Sequence, residues 1–411
     1  MPTLLQISIE VNSGSVGRIA EQIGATIFEN GWASYITYAR NNNPSKSKVI
    51  KIGNKFDLYR HGIETRIFDS HCFSSKSATK DLINTIKEIK PDIIHLHHLH
   101  GYFINIEILF DYLKEYKIPV VWTFHDCWSF TGHCAHFDFI GCEKWKTECH
   151  HCEQKTEYPA SLLADRSQQN YLDKKRIFNS INNLTIVPVS NWLSGKVKDS
   201  FLKNYPYKVI QNGIDLNTFY PKKSRTIIDE LYNLKDKFII LGVASTWDKR
   251  KGLEEFPKLN ELIDSKLYAI VLVGLSKNQI QKLPKSIIGI ERTENVDQLA
   301  DLYSAADVFL NPTFEDTFPT TNLESLACGT PVVTYKTGGS VESVNENTGV
   351  IVDKGDVRGL INAIKSIKNK GKYFYEKNCR ESAIKNFNRK IKFNDYFELY
   401  KNILKNKDEN Q

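Results

Sequence analysis

The sequence contains no run of about 18 consecutive apolar residues, the length that a membrane-spanning helix needs. Its first residues, MPTLLQISIE, lack the basic region and the long apolar region of a secretion signal. It also lacks a Walker lysine pattern, a complete dinucleotide-binding fingerprint and a recognisable context for a pyridoxal phosphate lysine. We therefore expect a soluble cytoplasmic protein that belongs to none of these three motif-defined classes.

Acidic residues are fewer than basic ones. The 55 Lys and Arg residues exceed the 48 Asp and Glu residues and give a formal charge of +7. Such a charge can favour anionic partners, such as nucleotide phosphates or an acidic lipid surface. Much of the excess lies in the segment IKSIKNKGKYFYEKNCRESAIKNFNRKIKF, where solvated helical surfaces explain it without a ligand. We expect no nucleic-acid partner.

The apolar residues that are present form runs of strand length between helical patterns. These runs are TLLQISIE, ASYITYA, PDIIHLHH, IPVVWTFHD and LTIVPVS, followed by KFIILGVAS, YAIVLVG, ADVFLNP and TPVVTY. Apolar strands without polar alternation, separated by helices, predict parallel sheets that are covered on both faces. The predicted fold class is therefore α/β, with two doubly wound, Rossmann-like domains that face each other across a cleft and bind ligands beyond the carboxyl ends of their strands.

A turn at Asn212 and Gly213, followed by a basic stretch after Pro221, marks the domain boundary. We predict an N-terminal domain over residues 1–215 and a C-terminal domain over residues 216–385. A helical tail over residues 386–411 is expected to pack back toward the N-terminal domain.

Two loops could bring cations or backbone N–H groups to an anion. In VNSGSVGRIAEQIG, Gly14 permits a tight turn before a helix that is predicted to begin near Gly17. In VASTWDKRKGLEEF, Lys249, Arg250 and Lys251 follow a strand and can reach a phosphate. An ordinary turn and a solvated basic loop remain alternatives.

The segment FEDTFPTTNLESLACGTPVV predicts a strand end, a loop, a helix beginning at about Asn322 and another strand. Asp316 and Glu324 are separated by seven residues, and Glu315 is an alternative first acid. Glu324 is predicted in the first helical turn, where the helix dipole alone would favour a carboxylate. The same carboxylate can accept hydrogen bonds from sugar hydroxyls.

Together with NGIDLNTFYP, RKGLEEF and the glycine-rich loop, this segment resembles the retaining glycosyltransferases of family 4, which have the two-domain GT-B fold. The resemblance covers nearly the whole chain, and the two acids with CGTPVV behind them are its most specific part. The motif HDCWSFTGHC and a cysteine-rich insert at about residues 127–160 resemble a branch that builds bacterial exopolysaccharide or O-antigen.

Carried over position by position, the resemblance implies a donor site for a nucleotide sugar. Glu324 would accept hydrogen bonds from the ribose, Asp316 would contact the transferred sugar, and Lys251 would bind the diphosphate. His125, at the end of VVWTFHD, would contact the sugar near the reacting carbon. Lys251, Asp316 and His125 are thus the expected catalytic residues, and the further donor contacts would come from Gly14, Thr320 and Thr321.

The sequence departs from the family pattern at three positions. Asp316 stands where the family usually has Glu, so its reach is shorter. Thr246 stands in place of an Arg, which leaves Arg250 as a displaced substitute in donor binding. Pro319 stands where Gly is usual, so one N–H group that could meet the ligand is missing.

Four histidines lie close together in HLHHLHGYF. Because alternate residues of a strand share a face, His95 and His97 should point one way and His98 and His100 the other. A polar rim near the acceptor is the favoured interpretation, and a metal site is the minor one.

Four of the eight cysteines lie in GHCAHFDFIGCEKWKTECHHCEQ: Cys134, Cys142, Cys149 and Cys152. Reduced and clustered, they suit a tetrahedral structural Zn²⁺. A neighbouring histidine could replace one ligand, the candidates being His133, His136, His150 and His151. Metal-free thiols and a disulfide remain alternatives.

The expected function is transfer of a sugar from a nucleotide sugar to a saccharide or lipid-linked saccharide, with retention of anomeric configuration, in bacterial surface polysaccharide synthesis. No cofactor is expected in catalysis, and peripheral association with the inner membrane face would suit the acceptor. A nucleotide-sugar epimerase of the same fold and a non-catalytic sugar-nucleotide-binding protein are the alternatives.

Overall fold

A computed structural model describes residues 1–223 and 225–408, which form two compact units. The N-terminal unit consists of Met1–Gln211 together with the tail from Lys392, and the C-terminal unit consists of Asn212–Ile391. Thus the chain passes from one unit to the other near residue 212 and returns near residue 392. The boundary predicted at about 216 lies a few residues away from the first of these points.

The N-terminal unit contains a six-stranded sheet in the order β3-β2-β1-β4-β5-β6, and every strand pair in it is parallel. Its strands are β1 Thr3–Ile7, β2 Ala33–Tyr38, β3 Lys48–Lys51, β4 Ile93–Leu96, β5 Val120–Phe124 and β6 Leu184–Pro188. All residues of β4 and β5 are buried. Since neighbouring residues of a strand point to opposite sides, both faces of the sheet are covered there.

Helices α1 to α5 lie between these strands and α6 follows β6: α1 Gly14–Glu29, α2 Lys55–Phe68, α3 Lys76–Ile89, α4 Ile106–Tyr116, α5 Ser167–Phe178 and α6 Asn191–Asp199. Local chemistry explains where several of them begin. The Asn54 side chain accepts hydrogen bonds from the first turn of α2, and the Asp57 side chain accepts one from Asn54 N, which completes a capping box. Ser190 caps α6 in a similar way by accepting from Leu193 N.

The C-terminal unit contains a second six-stranded parallel sheet in the order β12-β11-β10-β7-β8-β9. Its strands are β7 Phe238–Val243, β8 Tyr268–Val273, β9 Ile287–Ile290, β10 Val308–Asn311, β11 Val332–Tyr335 and β12 Gly349–Val352. Its helices are α7 Arg225–Tyr232, α8 Glu255–Leu262, α9 Lys277–Lys282, α10 Val296–Ala305, α11 Thr320–Ala327, α12 Val357–Lys370 and α13 Lys372–Phe387. A last helix, α14, spans Arg389–Asp408.

The nine predicted apolar runs all form strands, and the two-sheet α/β fold class is confirmed. Two predicted helix starts need correction. The helix expected from Gly17 begins at Gly14, and the helix expected from about Asn322 begins at Thr320. In the described part of the chain, no helix combines the length and the apolarity needed to cross a bilayer.

Helix α14 contributes aromatic side chains to the core of the N-terminal unit. Tyr396 and Tyr400 are buried in a cluster with residues of β1, α1, β4 and β5. Their hydroxyl groups also bind the sheet, because Tyr400 Oη lies 2.6 Å from His95 Nδ1 and Tyr396 Oη lies 3.2 Å from Thr123 Oγ1. The tail is thus part of the hydrophobic core.

We expect Tyr400→Ala to lower the free energy of unfolding by about 3–5 kcal/mol, the range for truncating a large buried aromatic side chain. Tyr373→Ala is the matched control, because that ring is 92% exposed; its effect should stay within about 0.5 kcal/mol. Urea unfolding of both variants measures the difference. A Tyr400 variant as stable as the control would contradict the role of the tail in the core.

Candidate functional site

The strand order creates a crevice at one point of each parallel sheet. In the C-terminal unit, β8 and β9 lie on one side of β7, whereas β10, β11 and β12 lie on the other. The loops that follow β7 and β10 therefore leave the sheet in opposite directions and open a gap between them. Ligands of doubly wound sheets bind at such a switch point, beyond the carboxyl ends of the strands.

These two loops are held against each other by backbone contacts. Phe314 N donates to Arg250 O at 2.7 Å, and Arg250 Nη1 donates to Glu315 O at 2.8 Å. Gly252, with φ of +76°, permits the approach, since a Cβ atom there would lie 2.1 Å from Pro312 O. No other residue type fits this position without displacing the backbone.

The approach places a cation beside an acid. Lys251 Nζ forms an ion pair with Asp316 Oδ2, and both side chains are mostly buried. The backbone of Asp316 is fixed by the loop that follows β11, because Gly339 N donates to Asp316 O at 2.9 Å. Lys251 and Asp316, predicted separately as diphosphate and sugar contacts, thus meet at the switch point.

Glu324 lies on α11, close to the same loops. It is the fifth residue of the helix, so the prediction that it lies in the first turn is wrong, and the helix dipole alone does not explain it. Its Oε2 accepts a hydrogen bond from Tyr303 Oη at 2.9 Å. Burial and the Glu324 charge raise the pKa of Tyr303 well above its usual value, which keeps its hydroxyl a donor. Tyr303 was not singled out from the sequence.

Thr320 and Thr321 are the first two residues of α11. By their position, their backbone N–H groups have no partner within the helix and can meet a ligand. Glu315, the alternative first acid, has no exposed surface, and its carbonyl oxygen accepts the bond from Arg250. Glu315 therefore supports the loop from inside, and Asp316 is the acid at the switch point.

The N-terminal unit has its own switch point, between β1 and β4. Gly14 begins α1 directly after the β1 loop, with φ of +60° and an exposed position. Residues 97–100 follow β4, and His125 follows β5. The sequence-predicted residues of this unit therefore also lie at the carboxyl ends of neighbouring strands.

His125 belongs to a hydrogen-bonded chain that joins β1, the residue after β4 and the residue after β5. Gln6 Nε2 donates to Ala20 O, which leaves Gln6 Oε1 to accept from His97 Nε2 at 2.9 Å. His97 Nδ1 is then the acceptor for His125 Nε2 at 3.2 Å. Burial lowers the pKa of both histidines well below the usual value, so both are neutral at pH 7. In this tautomer, His125 Nδ1 carries no proton and acts as an acceptor.

The other histidines of the run separate into two groups, as strand alternation predicts. His95 joins His97 inside the unit, where its Nε2 lies 2.8 Å from Thr123 Oγ1. His98 Nε2 and His100 Nε2 lie 3.2 and 2.7 Å from Asp126 Oδ2. In the described ranges, these last three residues form the one group of metal-ligand types whose donor atoms all lie within 4.8 Å of one another.

Asp126 was missed from the sequence, although it directly follows His125. Burial acts to raise its pKa, but the two imidazoles outweigh this effect and hold the pKa well below its usual value. Its Oδ1 also accepts from Trp128 N at 2.9 Å, which anchors the beginning of the cysteine-rich insert. Asp126 therefore positions the segment around His125.

The four cysteines predicted as metal ligands are brought together. Cys134, Cys142, Cys149 and Cys152 line one cavity of about 20 Å³, and all of them are free thiols. Of the alternative histidines, His133 and His150 line the same cavity.

Both units match known families. Residues 29–218 match the description Glycosyltransferase Family 4, and residues 237–369 match Glycosyl transferases group 1. Together these matches take in most of the chain and include the loops that carry His125 and Asp316. The chain belongs to the family 4 glycosyltransferases.

This glycosyltransferase is 24% identical over 377 residues to the putative colanic acid biosynthesis glycosyl transferase WcaC of Escherichia coli, and the match covers 87% of this chain and 89% of that protein. Sucrose-phosphate synthase from Thermosynechococcus elongatus shares its fold with a TM-score of 0.72 at 19% identity, over 98% and 99% of the two chains. Anabaena HepE in complex with UDP-glucose aligns with a TM-score of 0.65 at 14% identity, over 97% and 99%. The predicted GT-B fold is confirmed.

Substitution of Glu324 and of Glu315 tests which of these two acids contacts a donor. We expect Glu324→Gln to weaken nucleotide-donor binding about tenfold, because a charged acceptor for ribose hydroxyls becomes neutral while an oxygen remains for Tyr303. Glu315→Gln is the control and should leave the dissociation constant unchanged, although it lowers the melting temperature. Calorimetric titration gives both constants; a larger effect at Glu315 would contradict the assignment.

Proposed function

We propose that this glycosyltransferase moves a sugar from a nucleotide sugar to a saccharide or lipid-linked saccharide, with retention of configuration, in the synthesis of a bacterial surface polysaccharide. The observation that carries the proposal is the Lys251–Asp316 ion pair at the β7/β10 switch point. It offers one group for a phosphate and one for sugar hydroxyls at the place where parallel sheets bind ligands. The name of the colanic acid relative supports the biosynthetic role.

In this proposal, Lys251 and the first N–H groups of α11 bind the donor diphosphate. Negative charge grows on that diphosphate as the sugar departs, so fixed positive groups stabilise the transition state more than the ground state. Arg250 is the displaced donor-binding candidate, but its Nη1 already donates to Glu315 O. Lys251 is therefore assigned the larger share of the diphosphate binding.

Asp316 and His125 then orient the transferred sugar. A carboxylate accepts hydrogen bonds from sugar hydroxyls, and the unprotonated Nδ1 of neutral His125 can do the same. Its low pKa makes His125 unsuited to act as a cation at pH 7. We assign no protein nucleophile; the departing phosphate takes the proton of the acceptor hydroxyl on the same face of the sugar, which retains the configuration.

A lipid-linked acceptor is supported by an apolar surface on α2. Phe56, Tyr59 and Ile63 are 72%, 72% and 57% exposed, at the spacing of one helix face. The opposite, buried face consists of polar or small residues, namely His61, Gly62 and Thr65. This is the reverse of a normal surface helix, and such patches mark interaction sites.

The apolar surface continues beyond the helix. Leu162 and Leu163 are 63% and 72% exposed, and Leu162 N donates to Arg66 O at 2.8 Å, which places both next to the end of α2. We call these residues with Phe56, Tyr59, Ile63 and Ile67 the α2 patch. With the positive charge of the chain, the patch suits an anionic bilayer that carries the acceptor.

A donor screen tests the proposed reaction. Thermal-shift measurements with UDP, GDP, ADP and dTDP sugars should identify one nucleotide class that stabilises the protein. Incubation of that donor with a saccharide acceptor should then yield a glycosylated product by mass spectrometry, with the anomeric configuration of the donor by NMR. Donor binding without any product would favour the non-catalytic alternative, a product sugar epimerised on the nucleotide would favour the epimerase, and an inverted linkage would contradict retention.

Vesicle sedimentation tests the α2 patch. Binding to vesicles with phosphatidylglycerol should fall at least tenfold in Phe56→Ser combined with Ile63→Ser, since each inserted apolar side chain contributes about 1.5–3 kcal/mol. Leu262→Ser, at a residue 54% exposed elsewhere in the chain, should bind like the unmodified protein. Equal binding by all three proteins, or a dimer in solution that the double variant abolishes, would contradict a membrane role for the patch.

A further inference from the structure

The insert between β5 and α5 is long for a segment with so little regular structure. From residue 127 to residue 160 it contains three short 3₁₀ turns: Trp128–Phe130, Asp138–Ile140 and Lys144–Lys146. A small aromatic group joins these turns, with Phe137 stacked on Trp145 and Phe130 packed against both. Loops of this length with so little regular structure are uncommon in compact domains and are often functional.

Its four cysteines all line the cavity of about 20 Å³, which has room for a single small ion. The thiols of Cys134 and Cys152 hydrogen-bond each other, and Cys149 Sγ accepts from Gly132 N at 3.2 Å. A Cβ atom at Gly132 would lie 2.8 Å from Cys149 Cβ, so the backbone approaches the cluster as closely as it can.

His133 supplies an independent observation. Its ring is buried, and its Nδ1 lies 2.6 Å from Asp69 Oδ1. Its Nε2 is buried and has no hydrogen-bond partner, although the residue lines the same cavity as the thiols. A histidine that binds a metal typically donates its other ring N–H to a carboxylate, and His133 has such a contact with Asp69.

We propose that the insert binds one structural Zn²⁺ through the Sγ atoms of Cys134, Cys142, Cys149 and Cys152. Each thiol loses its proton when the metal binds, and His133 Nε2, buried at the same cavity, is the alternative to one of the four ligands. The ion joins the beginning, middle and end of the insert, and so fixes the segment that follows His125. Nothing in the proposed transfer reaction requires this site, which is purely structural.

Metal analysis of protein purified without a tag or chelator tests the site. We expect about one zinc per chain in the unmodified protein. Cys149→Ser combined with Cys152→Ser should lose the metal and lower the melting temperature. Cys379→Ser is the matched control, since it removes another buried free thiol outside the insert and should keep the full zinc content.

A second measurement uses the unmodified protein, in case the double variant fails to fold. Exchange of the metal for Co²⁺ should give the intense visible bands of a tetrahedral site and the near-ultraviolet charge-transfer bands of thiolate ligands. Removal of the metal with a chelator should lower the melting temperature, and added Zn²⁺ should restore it. Protein that is purified without zinc, does not take up Co²⁺ and melts at the same temperature with and without chelator would overturn the proposal.

Discussion

The close approach of the loops after β7 and β10 is the constraint on which the candidate donor site depends. Parallel strands on either side of the switch point send these loops apart, and the contact of Gly252 with Pro312 brings them back together. Because of this contact, Lys251 and Asp316 form their ion pair, although 65 positions separate them in the sequence. A side chain at residue 252 would separate the two groups without changing either of them.

In the N-terminal unit, buried polar side chains fix the orientation of His125. Gln6, His97 and His125 come from β1, from the residue after β4 and from the residue after β5, and each orients the next. Buried groups of this kind are costly unless every donor finds an acceptor, so the chain also specifies one tautomer. The chain therefore keeps both imidazoles neutral and gives His125 a defined orientation.

The apolar pattern of the sequence predicted every interior strand of both sheets and the edge strand β6. It did not predict the other three edge strands. β3, β9 and β12 have only four residues each and are partly exposed, so they lack the continuous apolar run that burial on both faces produces. The sequence also did not predict contacts between residues that lie far apart along the chain. The bond from Tyr303 to Glu324 and the burial of Glu315 depend on how α10, α11 and the loops pack, which spacing along the chain does not encode.

The most direct test of this account compares the nucleoside diphosphate and the nucleotide sugar selected by the donor screen, titrated into Lys251→Ala and Asp316→Asn. If Lys251 binds phosphate and Asp316 binds the sugar, Lys251→Ala should weaken both ligands by a similar factor, about tenfold or more. Asp316→Asn should weaken the nucleotide sugar and leave the nucleoside diphosphate nearly unchanged. Equal losses for both ligands in the Asp316 variant, or undiminished diphosphate binding in the Lys251 variant, would contradict the division of roles at the switch point.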